Sequence, residues 1–559
     1  MRDRIDRRSF LARSAAVGAG VAAAGSSGGL LAACSSGSSS PSTSSGGTGP
    51  RLNGVSTATP KPGGHVIFGT EAEEKGFSTT QGTFDETGIL YARTVFDPLA
   101  ILSESGQVLP YLAESITHNT DYSVWTVTLR PNVTFHNGAP CDGAALLSNF
   151  QQQKAAALTG PAIANISSFS QTGPLSVQVN MKTPWVPFDY YLAGGIGGQV
   201  AFIAEPNWLS SGQQSNPIGT GPFVFQEWVP NDHFTATKNP HYWRPGLPYL
   251  DSITYKPIPD AQQLFNSLQV GNVDIIHTSN AQVTGELKGN SSFAYVDDSS
   301  HIVGEPDMGC LLINHAKPPF DNLKVRQAAA MAISSEEFVK VIDAGGVNSP
   351  SNGPFVQGSP YFAPTGYPTP DPSKATQLVQ EVKQATGQPV SLSIGHVPDA
   401  NTTKIAEYLQ SQLQNVGMQV SLTDVQQASI INDALLGTFQ ALVWRQFGAV
   451  DPDLNYIFWS PTEINSVYSI NMARNTDPTM EAALQKGRQS PNPSDRAAAY
   501  QQVATLMGSD IPYIWFDRTV WAVGSQGKVQ NWNNPTAPDG TKAYGMIVGV
   551  VWPTQIWLS

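Results

Sequence analysis

The stretch from Val390 to Trp459 limits most strongly what this chain can fold into. Three short apolar runs rich in β-formers, Val390–Ile394, Met418–Leu422 and Phe439–Trp444, alternate there with two helical stretches. The first helix, 403–416, carries Ile405, Leu409, Leu413 and Val416 on one face and stops at Gly417. The second, 428–436, has Ile430, Ile431, Leu435 and Leu436 and stops at Gly437. A βαβαβ succession predicts a parallel sheet with right-handed crossovers. Ligands of open α/β sheets sit beyond the carboxyl ends of the strands. Trp444, Arg445 and Phe447 stand at such an end, followed by Gly448 and the turn Asp451-Pro452-Asp453.

At 559 residues the chain is too long for one ordinary core, so two or three domains are expected. Its first residues are set apart. Arg7-Arg8-Ser9-Phe10-Leu11 precedes a small, apolar run from Ala15 to Ala33, closed by Leu31-Ala32-Ala33-Cys34. The twin arginine resembles a twin-arginine export signal, and Leu-Ala-Ala-Cys resembles a bacterial lipobox, with Cys34 as the lipidated residue. A transmembrane anchor is the rival reading, but the run is rich in Ala and Gly and barely long enough to span. Residues 35–62, nearly all Ser, Gly, Thr and Pro, read as a disordered tether. The formal net charge is −12, and more negative once the five Arg and two acids of residues 1–33 are set aside. That argues against nucleic acid or anionic lipid as partners. Cys141 and Cys310 are the remaining cysteines and either pair or stay as buried free thiols.

Along the body, Gly63–Gly69 predicts a strand, and Glu71 leaves its end as either a ligand contact or part of an exposed acidic loop. Residues 88–102 predict a helix running into a strand, Trp125–Arg130 alternates strictly, and Val133–Gly138 predicts another strand and a turn. Asp142, Asp260, Ser334 and Ser494 are predicted helix caps, Ser334 with Glu337 as a capping box and Phe338, Val341 and Ile342 facing inward. Gly219-Thr220-Gly221-Pro222 predicts a tight turn that only glycines permit. Arg326 is expected in solvent or paired with a carboxylate.

Four stretches carry a family resemblance. They are L-P-Y-L-A-E-S at 109–115 with W-T-V-T-L-R-P-N-V-T-F-H-N-G-A-P at 125–140, then N-P-I-G-T-G-P-F-V-F-Q-E-W with K-N-P-H-Y-W at 216–243. They continue with N-H-A-K-P-P-F-D-N-L-K-V-R-Q-A-A-A-M-A-I at 314–333 and with D-I-P-Y-I and T-V-W-A-V between 510 and 523. Together, from residue 63 to about 535, they resemble the extracellular solute-binding proteins of family 5, the peptide- and nickel-binding components of ABC importers.

The resemblance implies an α/β, two-lobed periplasmic-binding-protein type II fold with an extra α+β subdomain inserted in the first lobe. It implies lobe I from 63–97, 217–300 and 515–559, the insertion at 98–216, lobe II at 301–514, and hinges near Ser300–Cys310 and Pro512–Arg518. It further implies a monomer on the outer face of the cell membrane, anchored through Cys34, that hands a peptide or small solute to ABC permease subunits. A ligand-sensing lipoprotein uses the same fold and stays open.

No His-Glu-x-x-His, Cys-x-x-Cys or P-loop occurs, and the sole G-x-S-x-G lies in the export signal, so neither an enzyme nor a cofactor is expected. Peptide-binding relatives resemble W-x-x-Asp-x-x-Asp-Pro-Asp in the loop after Trp444, the first Asp taking the ligand ammonium. Gly448 stands at that position, which leaves oligosaccharide, opine-like or anionic solutes and metal chelates open beside peptides. Arg445 is either an anion clamp or paired with a neighbouring acid. Trp444, Phe447 and Trp459 either line a pocket or pack in the core, and Asp451 and Glu71 complete the expected ligand set.

Overall fold

The computed structural model describes residues 52–559 except 83, 195–198, 301–302, 344–345 and 465–467. The export signal, Cys34 and most of the expected tether lie outside the described residues. The end of that stretch is docked rather than free: the Leu52 carbonyl accepts from the Tyr295 N–H at 2.9 Å, and the Gly54 carbonyl accepts from that of Asn533 at 3.2 Å.

Three sheets organise the body. The first has seven strands in the order Phe293–Asp297, Ala522–Gln526, Ile275–Thr278, His65–Thr70, Ser252–Pro257, His233–Lys238 and Phe223–Val229. Within it His65–Thr70 runs parallel to both its neighbours. The second has six, in the order Ser349–Pro350, Tyr513–Thr519, Asp307–Ile313, Ala441–Gln446, Ser391–His396 and Gln419–Asp424. The βαβαβ expectation holds: Ser391–His396 pairs in parallel with Gln419–Asp424 on one side and Ala441–Gln446 on the other. The strand order therefore reverses between 391–396 and 441–446, which creates a crevice at their carboxyl ends. The intervening helices are Ala400–Asn415, burying Ala406, Leu409 and Leu413, and Gln427–Leu436, ended by Gly437 in the left-handed conformation.

A third, fully antiparallel sheet orders Ala113–His118, Val124–Leu129, Ser176–Met181 and Ile166–Gln171. One apolar core runs from this sheet, through Trp125, Val127 and Val179, into residues of the second sheet such as Met308, Leu312 and Leu442. The chain passes from the first sheet to the second between Asp297 and Asp307, and returns at Val520–Trp521. The return falls later than the expected Pro512–Arg518, because 513–519 is an unbroken strand of the second sheet.

Local corrections are informative. Val133–Gly138 forms no sheet strand; Phe135 and Ala139 close a tight turn, with an isolated bridge between Thr134 and Pro140. Asn492, not Ser494, caps Pro493–Asp510, because Pro493 takes the first helical position. Ser334 does cap Ser335–Ile342 and Phe338 and Ile342 are buried, but Val341 is exposed. Arg326 donates to the backbone carbonyls of Asp510 and Phe320, both at 2.8 Å, rather than to a carboxylate. Gly219 and Gly221 are required by close approach, not by backbone angle: a Cβ would come within 2.0 and 2.5 Å of Val95 backbone atoms. Cys141 and Cys310 are buried free thiols.

Candidate functional site

A partly open cleft lies just beyond the carboxyl end of Ala441–Gln446. Gly448, Ala449 and Val450 form one wall, and Val303, Glu305 and Pro306 of the first crossing form the next. Ile89 and Arg93 enter from helix Glu86–Val95, and Met546, Ile547 and Trp552 from the C-terminal segment. Tyr190 and Ala193, from the stretch after the third sheet, close another side. The lining is mostly apolar with few polar groups, as small-molecule sites are.

Gly448 cannot be replaced in this arrangement. A Cβ there would meet the Glu305 carbonyl oxygen at 2.1 Å and the Pro306 carbonyl carbon at 2.5 Å, so the crossing backbone occupies the space a side chain would need. The two segments are also hydrogen-bonded: the Glu305 N–H donates to Ala449 at 2.9 Å, and the Gly448 N–H to the Asp307 carboxylate at 2.7 Å.

The six expected ligand residues do not line this cleft. Arg445 is spent on internal charge: its guanidinium lies 3.5 Å from Glu86, 3.5 Å from Asp307 and 3.7 Å from Glu71, and donates to the Ser279 hydroxyl at 2.7 Å. It also stacks over Trp521, 4.6 Å from the ring centre. Burial alone would lower its pKa, but Glu86, Glu71 and Asp307 overcome that and hold it above the usual guanidinium value. Of the two sequence readings, pairing with neighbouring acids is the one the geometry bears out. Glu71 in turn accepts from the Ser279 N–H and hydroxyl, both at 2.9 Å.

Asp451 is a buried structural group. It accepts from two guanidinium nitrogens of Arg496, one at 2.7 Å, and caps its own turn through the Asp453 N–H at 2.9 Å. Asp453, fully buried, takes the Arg488 Nε at 2.9 Å and the Trp185 indole N–H at 2.7 Å, while the Tyr191 hydroxyl donates to its carbonyl at 2.6 Å. Trp185 and Tyr191 follow the third sheet, so this turn fastens that region to the second. Trp459 is buried against Phe355, Phe447 packs on Phe458, and Trp444 lies half-buried on the core.

The charged group that does face the cleft is Arg93. It is 5% exposed, its Nε has no hydrogen-bond partner, and among the described residues no carboxylate lies within ion-pair distance. One nitrogen donates to the Gly194 carbonyl at 3.3 Å and the group lies 3.9 Å from the Trp552 ring centre. Burial without a counter-ion brings its pKa down to about 9, still charged at neutral pH. Asp298 and Glu305 also line the cleft. Burial raises the pKa of both, well above the usual range for Asp298.

The match to known proteins is extensive. Residues 107–466 match the model of the bacterial extracellular solute-binding proteins, family 5, middle region. The chain belongs to this family. The nickel-binding periplasmic protein of Escherichia coli (strain K12) is 26% identical over 480 residues, covering 80% of this chain and 88% of the relative. The glutathione-binding protein GsiB of Salmonella paratyphi A is 27% identical over 462 residues, covering 78% and 86%. The Helicobacter pylori periplasmic binding protein DppA, solved with the peptide STSA, superposes with a TM-score of 0.77 at 20% identity, covering 89% of this chain and 98% of that one. The family 5 chain thus has the two-lobed type II periplasmic-binding-protein fold, with an α+β subdomain inserted in the first lobe. Its cleft lies where the two lobes, the insertion and the C-terminal segment meet.

Sequence reasoning missed Arg93, Asp298, Glu305 and the 544–552 segment. Arg93 sits four residues after Ile89, on the same side of helix Glu86–Val95, and that helix is buried along its whole length.

Proposed function

We propose that this family 5 protein is the lipid-anchored capture component of an ABC importer, holding a peptide or peptide-like carboxylate in the cleft and passing it to the permease. The observation that carries this reading is the unpaired, buried Arg93 in a mostly apolar cleft. A guanidinium buried without a counter-ion is costly, and a bidentate carboxylate supplies both the charge and the missing hydrogen bonds. Two relatives support the class: one is named for glutathione and one was solved with a peptide. Cys34 would carry the anchor, and the chain would act as a monomer.

A carboxylate without an amine is a second reading, favoured because Gly448 leaves no acid between Trp444 and Val450. A thermal-shift screen of the soluble chain from Ser35 onward, which keeps every described residue, tests both. Peptides, amino-acid conjugates, sugars and metal chelates are the probes. A solute that binds only the folded state raises the melting temperature. Stabilisation by carboxylate-bearing solutes is expected; stabilisation by neutral sugars alone would contradict the assignment.

A further inference from the structure

The cleft holds two further charged groups that the loop after Trp444 did not suggest. Asp298 and Glu305 both come from the crossing between the lobes, and both reach the surface of the cavity that Arg93 enters. Asp298 is 8% exposed. One of its oxygens accepts from the Trp521 N–H at 2.9 Å. Glu305 accepts from the Val356 N–H at 2.8 Å. Among the described residues neither has a Lys, Arg or His within ion-pair distance, whereas Asp307, Asp451 and Asp453 each have one. The crossing backbone at Glu305 also fills the space over Gly448, so no acid can be supplied from residue 448 itself.

An apolar cleft with a cation that has no counter-ion, an acid, Asp298, that faces only other acids, and a second acid, Glu305, that Arg518 compensates from beyond ion-pair distance is complementary to a solute with both charges and an apolar body between them. We infer that Asp298 and Glu305 are the cation-accepting pole of the cleft, so that the captured solute is amphoteric, with an ammonium group against the crossing segment and a carboxylate against Arg93. This rests on the cleft being the solute site. It narrows the ligand class to free-amine peptides or similar amino-acid conjugates and removes the amine-free carboxylates. Because the two acids sit on the segment that joins the lobes, they also make the ammonium a direct contact of the hinge region.

Calorimetric titration of the chain from Ser35 onward tests the inference. The probes are hydrophobic di- and tripeptides, each as the free peptide, its N-acetyl derivative and its C-terminal amide. The free peptide is expected to bind at least ten-fold tighter than either derivative. In Asp298→Asn and Glu305→Gln, which keep shape and the backbone hydrogen bonds, the preference over the N-acetyl form should shrink while that over the amide persists. Equal binding of free and N-acetyl peptides would overturn the inference and leave the carboxylate site at Arg93 standing. An amine preference unchanged in both variants and in the double variant would overturn it too, since the cation would then be held elsewhere. Failure of every carboxylate probe, amine-bearing or not, would overturn the cleft assignment itself.

Discussion

Arg93 and Arg445 present the same group in opposite surroundings. Arg445 leaves the end of Ala441–Gln446 into three carboxylates, a hydroxyl and an indole face. Arg93 leaves helix Glu86–Val95 into an apolar cleft with one carbonyl and one indole. The first is neutralised within the protein and joins the second sheet to Glu71 and Glu86 of the first lobe. The second has its charge uncompensated until something else arrives. A conspicuous arginine beside a binding loop is therefore not by itself an anion site; the distinction is whether its counter-ions are already present.

Substitutions can break that contrast, and the largest effect should come from turning a paired guanidinium into an unpaired one. Asp453→Ala leaves Arg488 buried without its carboxylate and removes the acceptor of Trp185, so a loss of about 3–5 kcal/mol in denaturant unfolding is expected. Arg93→Met should cost ligand rather than fold. Carboxylate affinity is expected to fall about 100-fold, or ~3 kcal/mol, while the unliganded protein keeps or raises its melting temperature, because a buried charge without a partner is replaced by an apolar chain. Gly448→Ala drives a methyl into the Glu305 carbonyl, and about 1–3 kcal/mol of stability should be lost together with cleft shape. Arg445→Met should have the smallest effect on solute affinity, although stability should fall because the buried Glu86 and Asp307 carboxylates lose their cation. Retention of solute binding in that variant would sharpen the contrast with Arg93.

Acidity sharpens it further. Asp298 and Glu305 accept a cation only as carboxylates, and burial raises the pKa of both. Asp298 faces Asp307, Asp297 and Tyr544, and Glu305 faces Arg518 and Tyr361. Affinity for a free-amine peptide should therefore weaken on acidification from neutrality, at higher pH than exposed carboxylates protonate. A matched N-acetyl peptide should show no such loss in this range. Titrations at a series of pH values read this directly.

The fold was legible where periodicity and family motifs coincide, from the βαβαβ unit to the caps Asp142 and Asp260, because hydrophobic pattern and chain stops are local signals. The site was legible only to the strand whose end it adjoins. Trp444, Phe447, Asp451 and Trp459 are near it in sequence but turn into the core or into Arg496. Arg93 and Glu305 reach it from segments far away in the chain, and what places them is long-range packing that no local pattern encodes. Gly448 shows the same limit: it read as a missing acid, and its cause is the Glu305–Pro306 backbone lying against it.

The most direct measurement is calorimetric binding of one free hydrophobic dipeptide panel to the parent chain, Arg93→Met and Arg445→Met under identical conditions. The account predicts that carboxylate-dependent binding disappears in Arg93→Met and survives in Arg445→Met. Binding that survives in Arg93→Met and disappears in Arg445→Met would contradict it and return the anion site to the end of Ala441–Gln446.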